Sequence, residues 1–269
     1  MNTYTCNSVA EFYKMVYEDM INAPEISPKG IKTKEIIAPQ ILLTNPRNRL
    51  AINNDRKFSI KYAITESLML FSPTNQLKYF SAYNDNIAQF SDDGKTLSGS
   101  YGNRIASNIP KMIQLLDLDD STRQAVLPIL GKEDVFIKTK DTPCTLALQF
   151  LIRDEKLNLI TTMRSNDIIW GLPYDIFMFT TLQEIVANTL GMEIGWYLHR
   201  PGSLHLYETH YNLFEKVADK FENKRVIWSE DYETWIGYAQ AHLDFVNGEI
   251  IYSPVEILSE VLKRGDTHA

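Results

Sequence analysis

Two runs of alternating residues stand out along the chain. Leu146, Leu148, Phe150 and Ile152 mark one face of a first strand, and Leu157, Leu159, Thr161 and Met163 continue the period of two after a polar turn at Asp154, Glu155 and Lys156. A period of two belongs to half-buried strands, so the stretch predicts a β-hairpin. With pairing centred between Asp154 and Glu155, Cys144 falls opposite Arg164 and Ser165, because antiparallel partners lie at equal offsets from the turn.

Helical spacing governs much of the rest. Val9, Phe12, Val16 and Met20 predict an opening amphipathic helix. Residues 58 to 71 read as a largely buried helix, with Ile60, Ala63, Ile64, Leu68 and Phe71 on one side and Glu66 among apolar neighbours. Further helices are predicted over about 105 to 116, with Pro110 near its start, and after Gly171, with Pro173 near the first position and Gly191 past the end. Another runs over about 209 to 222, and a last one opens on a capping box at Ser253, Pro254 and Glu256 and terminates at Gly265. Between the first two helices, Pro24, Pro28, Gly30, Pro39 and Pro46 break up short apolar runs, which reads as short strands and loops. IGWYLH reads as a strand, and in the SLHLYETH that follows, His205 and Tyr207 share one face.

With 269 residues and 44% hydrophobic content the chain is long enough for a sizeable core. No repeat or Ser/Gly linker divides it, so a single domain over 1–269 is expected. Net charge is -7 with no long basic run, which excludes the electrostatic footprint of a duplex-binding protein. The two cysteines, Cys6 and Cys144, form no CxxC and no zinc-spaced cluster, so neither a disulfide scaffold nor a metal site is expected. A cytoplasmic location is the natural reading, with no secretory start and no apolar run long enough for a membrane span.

Candidate chemistry centres on Cys144. A thiolate is the nucleophilic form of cysteine, and an arginine beside it favours that form. A lone cysteine among apolar strand residues also fits a small core residue. Glu66 lies either at a polar helix edge or partly buried with a raised pKa, the condition for proton transfer near neutrality. Arg47 and Arg49, in NPRNRL, sit on a loop where they meet solvent or a phosphate. Asp175 falls in the first turn of its helix, where the macrodipole favours it.

Three blocks, TPCTLALQF, MRSNDIIWGLPYD and GSLHLYETH, occur in an order and spacing that resemble the thymidylate synthase superfamily, and within it the phage-type deoxycytidylate hydroxymethylases, over roughly residues 56 to 210. The resemblance implies an α/β (α+β) fold of three layers around a large mixed sheet, working as a homodimer. It implies deoxycytidylate (dCMP) and 5,10-methylenetetrahydrofolate as substrate and co-substrate, with no metal. Cys144 matches the nucleophile that adds to C6 of the pyrimidine, and Glu66 and Tyr101 match the proton-transfer network. Arg164 and Ser165 match phosphate contacts, and Arg123 matches an arginine that reaches the partner subunit's nucleotide. His205 and Tyr207 match the pair that bonds the sugar 3′-hydroxyl; Asp167, with Gly171 in the same segment, matches the folate contact.

Departures from the synthase pattern carry information. Thr145 stands where synthases usually have histidine, and Ile87 and Phe90 stand where they carry tryptophans. Their double arginine is reduced to Thr122-Arg123, which leaves Arg47 or Arg49 as candidate extra phosphate ligands. Asp175 replaces the asparagine that meets uracil. An asparagine donates to O4 and accepts from N3–H, whereas an ionised aspartate only accepts; a protonated aspartate, or an aspartate paired with an N3-protonated ring, satisfies both positions of cytosine. The implied reaction converts dCMP to 5-hydroxymethyl-dCMP. Thymidylate or deoxyuridylate (dUMP) hydroxymethyl formation, action on CMP, and a non-catalytic nucleotide- or RNA-binding role are the alternatives.

Overall fold

A six-stranded mixed sheet carries the chain. In the computed structural model, which describes residues 2–264, its strands run β1 (Thr3–Cys6), β4 (Gln40–Leu43), β10 (Glu193–Pro201), β8 (Lys156–Met163), β7 (Thr145–Arg153) and β6 (Val126–Pro128). β1 with β4 and β10 with β8 pair in parallel, and the other neighbours are antiparallel. A second sheet orders β2 (Glu25–Ile26), β3 (Thr33–Ile37), β11 (Ser203–Tyr207) and β9 (Asn166–Asp167), and β5 (Leu50–Ile52) pairs with β12 (Glu222–Lys224).

Helices cover one face of the main sheet. α1 (Val9–Ile21) begins at Ser8, whose side chain accepts from Glu11 N, and lies against β1, β3 and β5. α6 (Leu172–Thr189) is buried almost all round, with Phe177, Phe179, Leu182, Ile185 and Val186 in the core and Thr180, Thr181, Gln183 and Glu184 enclosed beside them. It lies between β8 and β10 on one side and α2 (Ile60–Met69) and α8 (Tyr232–Asn247) on the other. α3 (Leu77–Ser81), α4 (Gly102–Ile105), α5 (Ile109–Leu118), α7 (Tyr211–Val217) and α9 (Pro254–Arg264) complete the helices. The sheet's opposite face presents Leu42, Leu151, Ile160, Trp196 and Leu198, each half-buried.

The hairpin forms with the turn at Asp154 and Glu155, both at positive φ (52° and 58°), the backbone of a type I′ turn built without glycine. One residue disturbs the alternation. Thr145 pairs with Met163 but Ala147 pairs with Thr162, so Leu146 is the extra residue of a β-bulge and Leu148, Phe150 and Ile152 alone hold the inner face. The bulge selects Arg164 over Ser165 as the residue across from Cys144, with Arg164 N donating to Cys144 O at 2.8 Å.

The helix expected over 209 to 222 is shorter, ending at Val217, because the chain then enters β12 and pairs with β5. The predicted terminator Gly265 lies outside the described residues.

Candidate active site

A cavity of about 170 Å³ opens at the mouth of the hairpin, and Cys144, Glu66, Tyr101 and Asp175 all line it. Each comes from a different element: Cys144 directly precedes β7, Glu66 lies on α2, Asp175 is in the first turn of α6, and Tyr101 leads into α4. Gly102 lets that last segment close on α2, since a Cβ there would stand 1.8 Å from Met69 O. Tyr62 and Asp141 join the wall, with Leu70, Phe80, Ile87 and Met178 supplying an apolar side.

The two cysteines are placed in opposite surroundings. Cys6 is 2% exposed in β1, and burial pushes its thiol up to about 12. Cys144 Sγ lies 3.5 Å from Arg164 Nη2 and 3.9 Å from Ser165 Oγ, both positioned to donate. Arg164 is itself held in place, donating from Nε to Pro143 O at 3.0 Å and from Nη2 to Thr142 O at 2.9 Å. Burial still raises the Cys144 pKa; Arg164 opposes the rise and Asp175 adds to it. The arginine expected to favour the thiolate does so without overcoming desolvation.

Burial also dominates the two carboxyls. It lifts Glu66 from 4.5 to about 8, against a hydrogen bond from Tyr62 and with the Asp175 charge adding to the rise. It lifts Asp175 from 3.8 to about 7, opposed by Asn166, whose Nδ2 donates to Asp175 Oδ2 at 2.7 Å. Groups that titrate near neutrality are those suited to moving protons at working pH. Tyr101 accepts at its hydroxyl from Thr145 N (3.3 Å) and Thr145 Oγ1 (3.1 Å), so the threonine at the synthase histidine position orients the tyrosine.

The remaining expected ligands divide. His205 and Tyr207 share one face of β11 with rings 4.9 Å apart, and the Arg164 charge acts on both. Asp167 Oδ1 accepts from Ile169 N at 2.7 Å and Trp170 N at 3.2 Å, closing the turn that leads to Gly171. Arg123 is exposed ahead of β6 and lines no wall of the cavity. Arg47 and Arg49, the candidate extra phosphate ligands, both engage Glu184 on α6 and line no wall of the cavity. Arg47 Nε lies 2.5 Å from Glu184 Oε1, and the wholly buried Arg49 binds Glu184 Oε2 and Thr181 Oγ1. Tyr62 and Asn166 escaped the sequence reading. Tyr62 was signalled by its place one helical turn before Glu66.

The Thymidylate synthase family pattern matches residues 11–229. A deoxyuridylate hydroxymethyltransferase of Bacillus phage SP01 is 32% identical over 230 residues, 78% of this chain and 60% of the relative. One from Pseudomonas phage M6 is 32% identical over 186 residues, 66% of this chain and 53% of the relative. The chain thus spans between half and two thirds of the length of these two curated relatives. Among solved structures, the thermostable thymidylate synthase A from Bacillus subtilis superimposes with a TM-score of 0.70 at 20% identity, over 86% of this chain and 91% of that one. That likeness shows the fold, a mixed sheet covered by helices, and the match over most of the sequence shows the kinship: the chain belongs to the thymidylate synthase family.

Proposed function

We propose that this chain is a pyrimidine nucleotide C5 hydroxymethyltransferase that takes one carbon from 5,10-methylenetetrahydrofolate, with dCMP as its nucleotide. The observation that carries the reading is Asp175 lining the same cavity as Cys144 and Glu66. A nucleophile for C6, a proton-carrying group and an aspartate at the base-reading position are then within one enclosure. The folate fits as co-substrate: Leu70, Phe80, Ile87 and Met178 form an apolar wall suited to a flat ring, and Asp167 stands near Gly171 for the pterin's polar edge.

In this reading Cys144 Sγ bonds to C6, which makes C5 nucleophilic toward the folate's one-carbon unit. The C5 proton leaves to a base, and departure of tetrahydrofolate gives an exocyclic methylene on the ring. Water adds to that carbon, held by Glu66, and the Sγ–C6 bond breaks to release 5-hydroxymethyl product. Arg164 and Ser165 meet the phosphate; His205 and Tyr207 meet the sugar. The open, half-buried apolar face of the main sheet is the surface through which a homodimer would form, bringing the exposed Arg123 to the partner's nucleotide.

A second reading, dUMP as substrate, is favoured by the names of the phage relatives. Incubating the protein with methylenetetrahydrofolate and dCMP, CMP or dUMP, then weighing the product, separates them. Hydroxymethyl-dCMP without dihydrofolate is the expected outcome; a methylated product with dihydrofolate sinks the hydroxymethylase reading. Asp175→Asn should move preference toward dUMP by several orders of magnitude, about 10⁴-fold at the limit for hydrogen-bond discrimination. Cys144→Ala should abolish exchange of the C5 proton.

A further inference from the structure

A file of buried side chains leads away from the cavity behind Asp175. Tyr197 and His199, on β10, are both wholly buried, and Asn166 is 3% exposed. Tyr197 Oη lies 2.8 Å from His199 Nδ1, His199 Nε2 lies 2.8 Å from Asn166 Oδ1, and Asn166 Nδ2 lies 2.7 Å from Asp175 Oδ2.

The polarity of this file follows from which groups can donate. An ionised carboxylate only accepts, so Asn166 turns its Nδ2–H toward Asp175 and its Oδ1 toward His199. His199 then donates from Nε2. Burial keeps the imidazole neutral, pushing its pKa down to about 3, so Nδ1 is bare and accepts from the Tyr197 hydroxyl. Burial keeps that hydroxyl protonated too. The directions along the file are therefore consistent with one another: the Tyr197 hydroxyl donates to the bare Nδ1, His199 Nε2–H donates to the amide oxygen, and the amide N–H makes Asp175 Oδ2 an acceptor.

We propose that Asn166 and His199 are positioning residues for base selection, confining any proton on Asp175 to Oδ1, the oxygen that Asn166 does not engage. The assignment of a pyrimidine as the ligand rests on the function proposed above. A free carboxylic acid is symmetric: with its proton on either oxygen it complements cytosine or, by exchanging the two, uracil. Fixing one oxygen as acceptor removes that freedom, so the acid presents one donor beside one acceptor in a set order. Cytosine, with an N3 acceptor beside an N4 donor, matches one order and uracil the reverse.

The titratable groups facing Asp175 are Glu66 on α2, Tyr101 ahead of α4, Cys144 ahead of β7, Tyr197 on β10 and Asp167 in β9. All are acids, whose charged forms oppose ionisation of Asp175. The Asn166 amide works in the other direction.

Carbon-detected NMR of the Asp175 carboxyl, with direct binding of dCMP and dUMP, tests the assignment in wild type, Asn166→Leu, His199→Phe and His199→Gln. Wild-type Asp175 should titrate near 7 and His199 should show the Nε2–H tautomer. Asn166→Leu and His199→Phe should raise the Asp175 midpoint by about one pH unit and bring the dCMP to dUMP affinity ratio about tenfold closer to one. His199→Gln, whose amide N–H reaches the same Asn166 oxygen, should hold both near wild type, a rescue that a purely packing role would not give. An unchanged midpoint in the first two variants, an unchanged affinity ratio despite a moved midpoint, or a protonated His199 Nδ1 overturns the proposal. Should neither nucleotide bind wild type, the functional reading falls and the titration and tautomer alone decide the hydrogen-bond file. If His199→Phe does not fold, Asn166→Leu and His199→Gln carry the test.

Discussion

Helix α6 holds two carboxylates that the fold treats in opposite ways. Near its middle, Glu184 is wholly buried and meets two guanidiniums, those of Arg47 and Arg49. In its first turn, Asp175 meets a neutral amide and lines a cavity beside another carboxyl, Glu66, that receives a hydroxyl. Glu184 faces opposite charge on two sides and its part is architectural: it ties the loop carrying Arg47 and Arg49 to the central helix. A carboxyl given only neutral donors cannot offset desolvation, so its pKa climbs toward the pH at which protons are exchanged. The contrast separates structural from chemical acids on one helix.

The largest effect is expected where the charges are paired. Glu184→Ala leaves the wholly buried Arg49 without a counter-charge and should cost about 3–5 kcal/mol of stability, read by urea denaturation. Replacing Glu184 with leucine and Arg49 with methionine together should recover most of that loss, because an apolar pair removes both desolvation costs. A Glu184→Ala protein as stable as wild type would erase the distinction drawn along α6.

Glu66→Gln should show the reverse pattern. Activity falls by about a hundredfold or more, as for loss of a proton-transferring group. Stability responds with a definite sign. Between 4.5 and about 8 the folded state holds the Glu66 proton that the unfolded state has lost, so stability falls as pH rises through that window. Glutamine, which does not ionise, removes this penalty. The variant should therefore gain stability over wild type at pH 9, by a few kcal/mol, and show little gain at pH 4. Thermal unfolding at the two pH values checks it; an equal shift at both would mean that Glu66 is not the titrating group.

Which parts of this were legible in the sequence follows from how local each cause is. Alternation around Asp154 and Glu155 placed the hairpin and brought Cys144 near Arg164, since strand pairing propagates from a turn. The bulge at Leu146 was invisible, because one inserted residue leaves a period-two pattern nearly unchanged while moving the register. The contact of Arg47 and Arg49 with Glu184 is not legible in the sequence, because that partner lies on α6, far along the chain, and a loop arginine looks the same whether it meets solvent, phosphate or a buried glutamate. The file from Tyr197 to Asp175 joins β10, β9 and α6, and no local pattern announces it. Helical spacing leaves Glu66 between a polar edge and partial burial, and its place in the cavity wall favours partial burial.

The smallest effect sharpens the comparison most. Tyr62 precedes Glu66 by one helical turn, and its hydrogen bond is the contact that lowers the Glu66 pKa against burial. Burial and the nearby Glu66 charge raise the Tyr62 pKa well above its ordinary value, so the phenol stays a donor through the working range. Tyr62→Phe keeps the ring against Tyr174, 5.3 Å away, and deletes only the hydroxyl. The Glu66 midpoint should then move further above about 8, shifting the corresponding limb of the kcat–pH profile upward by about one unit at most. The change in kcat at the optimum should stay within about tenfold. A profile that does not move would mean that Glu66 owes its state to desolvation alone. A profile that moves down would mean that the hydroxyl stabilises the acid and not the carboxylate, reversing the part assigned to neutral donors in this cavity.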